Sequence, residues 1–537
     1  MKKRVLRIVA LCLVMTMLTG CAGITAYFEK IKQMLGLTLT DFADMSYTRP
    51  DMDAFQKALD QACTGAASET NFMKLQNVIL DFYAVYESFY TNYFLATIYY
   101  SKDMTDAYWE GENTFCTEQS SVANAGLDKL YRALAKSPLR EQLEGEDFFG
   151  PGFFEAYEGE SVYDETFNAM LAKEAALINQ YYAISGESRS VAYYSEEFFS
   201  VYGQRLAEIF RDLVQVRQEM AAYAGYESYP EFAYDFHHVR DYSVEQAQDY
   251  MAQIQTQLTP LYRQLNTSGF WEMELYHSSE NQTFSYVKTV AENMGGIIED
   301  AFDAMEDCHL YDITYSEKKY DASFVVYLYD YRAPYVFVNP TLTEHDKLTF
   351  THEFGHFCNN YASYGSAAGV DVSEIFSQGL EYLSLCYGND TGNLEKLRMA
   401  TCLTTYVEQS AYASFEHQVY NLTGEELTVE NIQALYTRVG TDFGFDSWDW
   451  DSRDYVCINH FFTSPMYIIS YVVSNDAALQ LYQMEQAEKG KGLSCYVDNL
   501  TTTEAYFLSF LENAGLRNPF DQGRLEEVRR TLETVLK

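Results

Sequence analysis

Residues 352–356 read His352-Glu353-Phe354-Gly355-His356, an H-E-x-x-H pattern on which the reading of the whole chain turns. On a helix, residues four apart stand one above the other on one face. Two imidazoles so placed can reach one metal ion. Glu353 then stands beside the open coordination position, where it can take a proton from a water. With nine histidines in 537 residues, random placement gives this pattern in roughly one chain in a hundred. The motif favours a zinc hydrolase, and its surroundings have to decide.

Upstream, Thr343-Glu344-His345-Asp346 offers an N-cap threonine with an acid three residues on, and no Pro or Gly follows before Gly355. The spacing predicts a helix through the motif. Before it, Tyr335 to Asn339 is β-branched and aromatic and ends at Pro340, which predicts a short strand. Such a strand could offer a free edge to an extended peptide, or it could be an ordinary buried strand. Downstream, a Gly/Ser/Ala-containing break from Tyr361 to Gly369 precedes a second helical run from Asp371. A catalytic zinc site takes three protein ligands and leaves one place to water. Glu374, early in the second helix, is the candidate third ligand to His352 and His356. The competing reading is a capping box, since Asp371-x-x-Glu374 also fits a helix start. Gln378 and Glu381 follow at helical spacing, and are candidates to orient an imidazole.

His-Glu-Phe-Gly-His followed by Glu374-Ile-Phe-Ser-Gln-Gly-Leu-Glu381 resembles the M3 family of zinc metallopeptidases, which includes thimet oligopeptidase and oligoendopeptidase F. Gln409 to Tyr420 and Ile458 to Tyr471 are similar to the oligoendopeptidase F branch, and a weaker likeness runs from about Arg49-Pro50 to the C-terminus. The resemblance implies a mainly α, two-lobed helical metallopeptidase fold around a deep channel, with a small β-sheet near the HExxH helix. It implies one Zn²⁺ on His352, His356 and Glu374, with Glu353 as general base. It also implies a histidine and a tyrosine that stabilise the oxyanion, here His460 with Tyr467 or Tyr471. The chemistry agrees, because a tetrahedral intermediate needs donors aimed at its developing charge. Against it, Tyr467 and Tyr471 are two of 47 tyrosines and could be packing residues.

Lys2, Lys3, Arg4 and Arg7 precede an apolar run from Ile8 to Leu18, too short to span a bilayer. The run ends in Leu18-Thr19-Gly20-Cys21, which resembles a bacterial lipobox. Residues 1–20 are expected to be a signal peptide, with Cys21 lipidated and residues 21–45 a tether on the extracytoplasmic face of the cell membrane. A plain secretory signal is the alternative. An N-terminal helical region over 46–200 and a catalytic region over 201–537 would follow. Removing residues 1–20 takes the net charge from −41 to −45, which excludes nucleic acid as a partner. Oligopeptides are the expected substrates. The eight cysteines after Cys21 contain no C-x-x-C, so no second metal or redox motif is indicated, and Cys358 reads as core packing. Leu75 to Tyr100, Phe199 to Gly225 and Ser243 to Leu265 carry helical periodicity. Between Tyr229 and Arg240 lies a dense aromatic stretch with adjacent His237 and His238, which cannot share a helix face and so do not make a metal site by themselves. A non-catalytic peptide-binding lipoprotein is the alternative function, but binding alone does not require Glu353. A zincin of another family with a different third ligand is a further alternative.

Overall fold

The computed structural model describes residues 39–536, apart from 146–147, 160–161, 189–190, 267–276, 366–367, 390–392 and 446–449. The expected signal peptide and Cys21 lie outside the described residues. No described helix is long and apolar enough to cross a membrane. The eight cysteines after Cys21 are all unpaired.

The chain is mainly helical with one small sheet, as the resemblance implied. Numbering helices of eight or more residues in order, the first body comprises α1 (Met52–Ser68), α2 (Phe72–Lys102) and α3 (Ala107–Ala135). Asp51 and Asn71 cap the first two, each side chain accepting from backbone N–H groups of its first turn. Phe55, Leu59, Ile79, Phe82 and Leu130 bury a core between these three helices. A larger core takes in Phe42, Met45 and, from α2, Leu95 and Ile98, and joins them to the later elements. Of these, α4 (Glu165–Ser188) and α5 (Gln204–Tyr223) come first, the latter entered through a π-helical turn at Phe199–Gly203. The periodicity from Ser243 to Leu265 becomes two helices, α6 (Val244–Gln257) and α7 (Thr259–Asn266). Pro260 explains the break: proline fits a first helical turn but cannot continue one. Then come α8 (Glu280–Met294) and α9 (Ile297–Asp307).

The sheet holds β1 (Tyr311–Asp312), β2 (Ser323–Leu328) and β3 (Ala333–Val338) in the order β1-β3-β2. β1 runs parallel to β3 with Tyr311 opposite Val336, and β2 runs antiparallel with Val325 opposite Val336. All six residues of β3 are buried. This decides between the two readings of the strand before the motif: it is central, with both edges paired. The edges of the sheet belong to β1 and β2, and the first four residues of β2 are half-buried. β3 leads into α10 (His345–Ser363), which packs on α11 (Val370–Tyr387). Helices α12 (Asn393–Val419), α13 (Val429–Asp442) and α14 (Ile469–Ala487) surround them, followed by α15 (Lys491–Asn499), α16 (Phe507–Ala514) and α17 (Arg524–Leu536). The start of α10 keeps half of the expected cap. Asp346 accepts from Thr343 N–H at 3.1 Å and from Thr341 N–H at 2.9 Å, but Glu344 is the N-cap and the helix begins one residue later.

Candidate metal centre

Gly355 brings α10 and α11 together. A Cβ there would lie 2.6 Å from the Phe376 carbonyl oxygen and 2.7 Å from Ser377 Cα, so only glycine allows the two backbones to approach this closely. The approach sets Glu374 against both histidines. His352 Nε2 is 3.4 Å from Glu374 Oε2, and His356 Nε2 is 3.5 Å from Glu374 Oε1. One ligand atom from each of the three residues lies within 4.8 Å of the others. Zinc bonds of about 2.0–2.1 Å give a tetrahedral edge of about 3.3 Å, so this donor set fits zinc. Asp371 and Glu374 do not form a capping box: the N-cap is Gly369, with no side-chain cap bond.

The groups behind the ligands are fixed in turn. His352 Nδ1 is 2.8 Å from Glu381 Oε1, and Arg398 Nε is 2.9 Å from Glu381 Oε2, with Glu381 and Arg398 both buried. Ser373 Oγ lies 3.4 Å from His356 Nδ1. Gln378 sits elsewhere than expected: its amide donates to the Tyr471 carbonyl at 3.1 Å rather than to an imidazole. Burial alone would push the His352 imidazole down, but the Glu381 hydrogen bond and the charges of Glu374, Glu381 and Glu353 lift it to about 9. A field that favours a proton there also favours a metal cation. Burial would raise the Glu374 carboxyl, yet His356, His352 and the Tyr467 hydroxyl hold it at about 2. Burial raises Glu353 above the ordinary carboxylate range, with His352 and His356 opposing.

The segment that sequence placed near the reaction does reach the centre. Tyr467 donates its hydroxyl to Glu374 Oε1 at 2.5 Å, and His460 Nε2 is 3.1 Å from the Tyr471 hydroxyl. Burial keeps both phenols well above their usual pKa and depresses His460 to about 4. All three are therefore neutral near pH 7, and the two phenols keep their protons to donate. A cavity of about 220 Å³ opens beside His352, lined by Thr349, Gln378, Glu381, Arg398, Thr401 and Tyr471 among others. Arg398 and Ser373 escaped the sequence reading. Neither belongs to a motif, and Arg398 reaches the site only by tertiary packing.

Residues 42–161 match the family model described as the Peptidase M3 N-terminal domain. No curated protein matches the chain. Among solved structures, a protein described as an oligoendopeptidase F has a TM-score of 0.83 at 20% identity, covering 93% of this chain and 98% of that one. A second so described, from Bacillus anthracis, has a TM-score of 0.80 at 21% identity over 93% and 98%. Pz peptidase A, solved with an inhibitor, has a TM-score of 0.81 at 20% identity over 92% and 99%. The fold is theirs along nearly the whole chain. The domain match over residues 42–161 and the shared fold thus make the chain similar to M3 peptidases and to proteins described as oligoendopeptidase F.

Proposed function

We propose that the chain is a zinc-dependent endopeptidase that hydrolyses short unfolded oligopeptides. One observation carries this reading: His352, His356 and Glu374 each bring a ligand atom within 4.8 Å of the others, while Glu353, between the two histidines, is left out of that set. A protein that only bound peptides would have no use for that fourth group. One Zn²⁺ held by His352, His356 and Glu374 would polarise the scissile carbonyl and acidify a water. Glu353 takes the proton of the attacking water and delivers it to the leaving amine, and its burial raises its affinity for that proton. His460 with Tyr467 or Tyr471 would donate toward the oxygen that gains charge. Glu381, with Arg398 behind it, holds the His352 ring through Nδ1 and leaves Nε2 for the metal. The likeness to proteins described as oligoendopeptidases supports peptides rather than folded proteins as substrates.

We further propose that the chain is anchored outside the cytoplasm through lipid on Cys21, on the strength of residues 1–21 alone. Mass spectrometry of the mature N-terminus tests that part separately. The function is tested with internally quenched peptides of graded length and a folded protein, with and without a chelator. Cleavage of the short peptides alone, lost on chelation and restored by zinc, is expected. Efficient digestion of the folded protein, or turnover indifferent to chelation, would overturn it.

A further inference from the structure

The stretch between His460 and Tyr471 runs from the short helix Asn459–Thr463 through an irregular connection, 464–468, into α14. Its backbone is nonetheless held at nearly every polar group. Arg217, fully buried, donates to the carbonyls of Phe461 and Phe462 at 2.7 and 2.6 Å. His238 Nε2 lies 2.9 Å from the Pro465 carbonyl. Arg240 Nη1 donates to the Met466 carbonyl at 2.9 Å, and Glu416 Oε1 accepts from the Met466 N–H at 2.8 Å. The last three side chains thus grip consecutive peptide groups immediately before Tyr467. The arrangement holds both segments in costly conformations. Met466 has φ of +63°, and Val239, between the two gripping residues His238 and Arg240, has φ of +50°. A β-branched or bulky residue there is a genuine outlier, and such residues persist only where their surroundings over-determine them.

Arg240 also reaches the metal-binding helix. Its Nε and Nη2 donate to Asp371 at 3.2 and 3.3 Å, and Nη2 donates to Ser470 Oγ at 2.8 Å. Tyr242 donates to Asp371 Oδ2 at 2.9 Å, and Ser474 donates to the Asp371 carbonyl. Asp371 lies one turn before Glu374 on α11, so one buried guanidinium ties the ligand helix to the segment that carries Tyr467. We propose that His238, Arg240 and Glu416 are positioning residues that set Tyr467 against Glu374 and the reacting carbonyl. The dense aromatic and histidine stretch from Tyr229 to Arg240 thereby acquires a role. The inference rests on the peptidase reading, and deepens it by separating the residues that do chemistry from those that aim them.

The test is a double-mutant cycle read as kcat and KM, with zinc content and melting temperature measured on each variant. Glu416→Leu removes the acceptor for Met466 N–H, whereas Glu416→Gln keeps an acceptor oxygen. A misplaced catalytic group costs on the order of ten- to a hundredfold. Assayed at saturating zinc, Glu416→Leu is expected to lose that much in kcat with KM little changed, and Glu416→Gln to restore most of it. Added to Tyr467→Phe, Glu416→Leu should cost almost nothing more, because the group it aims is already gone. If it costs the same factor in both backgrounds, or if Tyr467→Phe alone leaves kcat unchanged, the proposal is overturned. Should Glu416→Leu fail to fold, His238→Phe, at a partly exposed position, runs the same cycle and is read in the same way: a loss confined to the Tyr467 background supports the proposal, and an equal loss in both overturns it. Wild-type turnover that Glu353→Gln abolishes keeps the peptidase reading intact whichever way the cycle falls.

Discussion

Gly355→Ala is the smallest change that should dismantle the metal centre without touching a ligand. The added Cβ would sit 2.6 Å from the Phe376 carbonyl oxygen and 2.7 Å from Ser377 Cα, where ordinary contact begins at 3.4 Å. Both obstacles are backbone, so α11 has to move away from α10 by about 0.8 Å. Overpacking of this kind costs about 1–3 kcal/mol of stability. Glu374 is two residues from the point of collision and moves with it. Zinc sites tolerate deviations of only about 0.2 Å in ligand distance, so a shift of that size strips one of three protein ligands of its geometry. We expect zinc affinity to fall on the order of a hundredfold, at the upper end of what loss of a supporting group costs. Competition with a chromophoric chelator measures that affinity, and chemical denaturation of the same samples measures stability. Gly379→Ala is the internal control, since its Cβ meets the flexible tip of Leu481 at 2.9 Å rather than backbone, and zinc should be retained. Wild-type zinc affinity and stability in Gly355→Ala would refute the argument that helix approach sets the ligand geometry.

Other consequences are as direct. Tyr467→Phe is expected to lower kcat on the order of a hundredfold and also to weaken zinc binding, because its hydroxyl touches Glu374. Tyr471→Phe should spare the metal, since its hydroxyl faces His460; identical zinc affinities in the two variants would contradict this division. His417, buried against Tyr234 and the Ala413 carbonyl, is lowered to about 4 by burial. The unfolded chain therefore takes up a proton there between about pH 6.5 and 4 that the folded chain refuses, so stability falls as pH falls through that window. The stability advantage of wild type over His417→Phe should shrink by up to about 1.4 kcal/mol per pH unit across it, measured by denaturant titration; a constant difference would show that the ring titrates alike in both states. Asp476→Ala removes the buried partner of Arg524, whose Nε is 2.9 Å from both carboxylate oxygens, and leaves it the more exposed Glu527 at 3.3 Å; this should cost about 3–5 kcal/mol.

The centre was legible where its logic is local. Two histidines four apart, a helix around them and a carboxylate early in the next helix can all be read along the chain, and the mainly helical fold follows from periodicity and few prolines. What lay hidden depends on rotation and on distance. Relative to Glu374, Gln378 and Glu381 are turned by about +40° and −20° at 100° per residue. That difference of about 60° is enough to send Glu381 to His352 and Gln378 to the Tyr471 carbonyl. The strand before the motif was recognisable as a strand. Whether its edge was free depended on β1 and β2, which lie outside its own sequence. His238 could be excluded as half of a metal pair, but its partner, the Pro465 carbonyl, is 227 residues away. No spacing rule reaches that far.

The most direct test of the account compares wild type with Glu353→Gln for zinc content and peptide turnover in the same preparation. The substitution keeps size and shape, and removes only the ability to take a proton from the attacking water. The account predicts one zinc per chain in both proteins, with turnover of a short peptide in wild type and a loss on the order of a thousandfold or more in the variant. Comparable turnover by Glu353→Gln, or zinc-free wild type that cleaves as fast as the zinc-loaded protein, would contradict it.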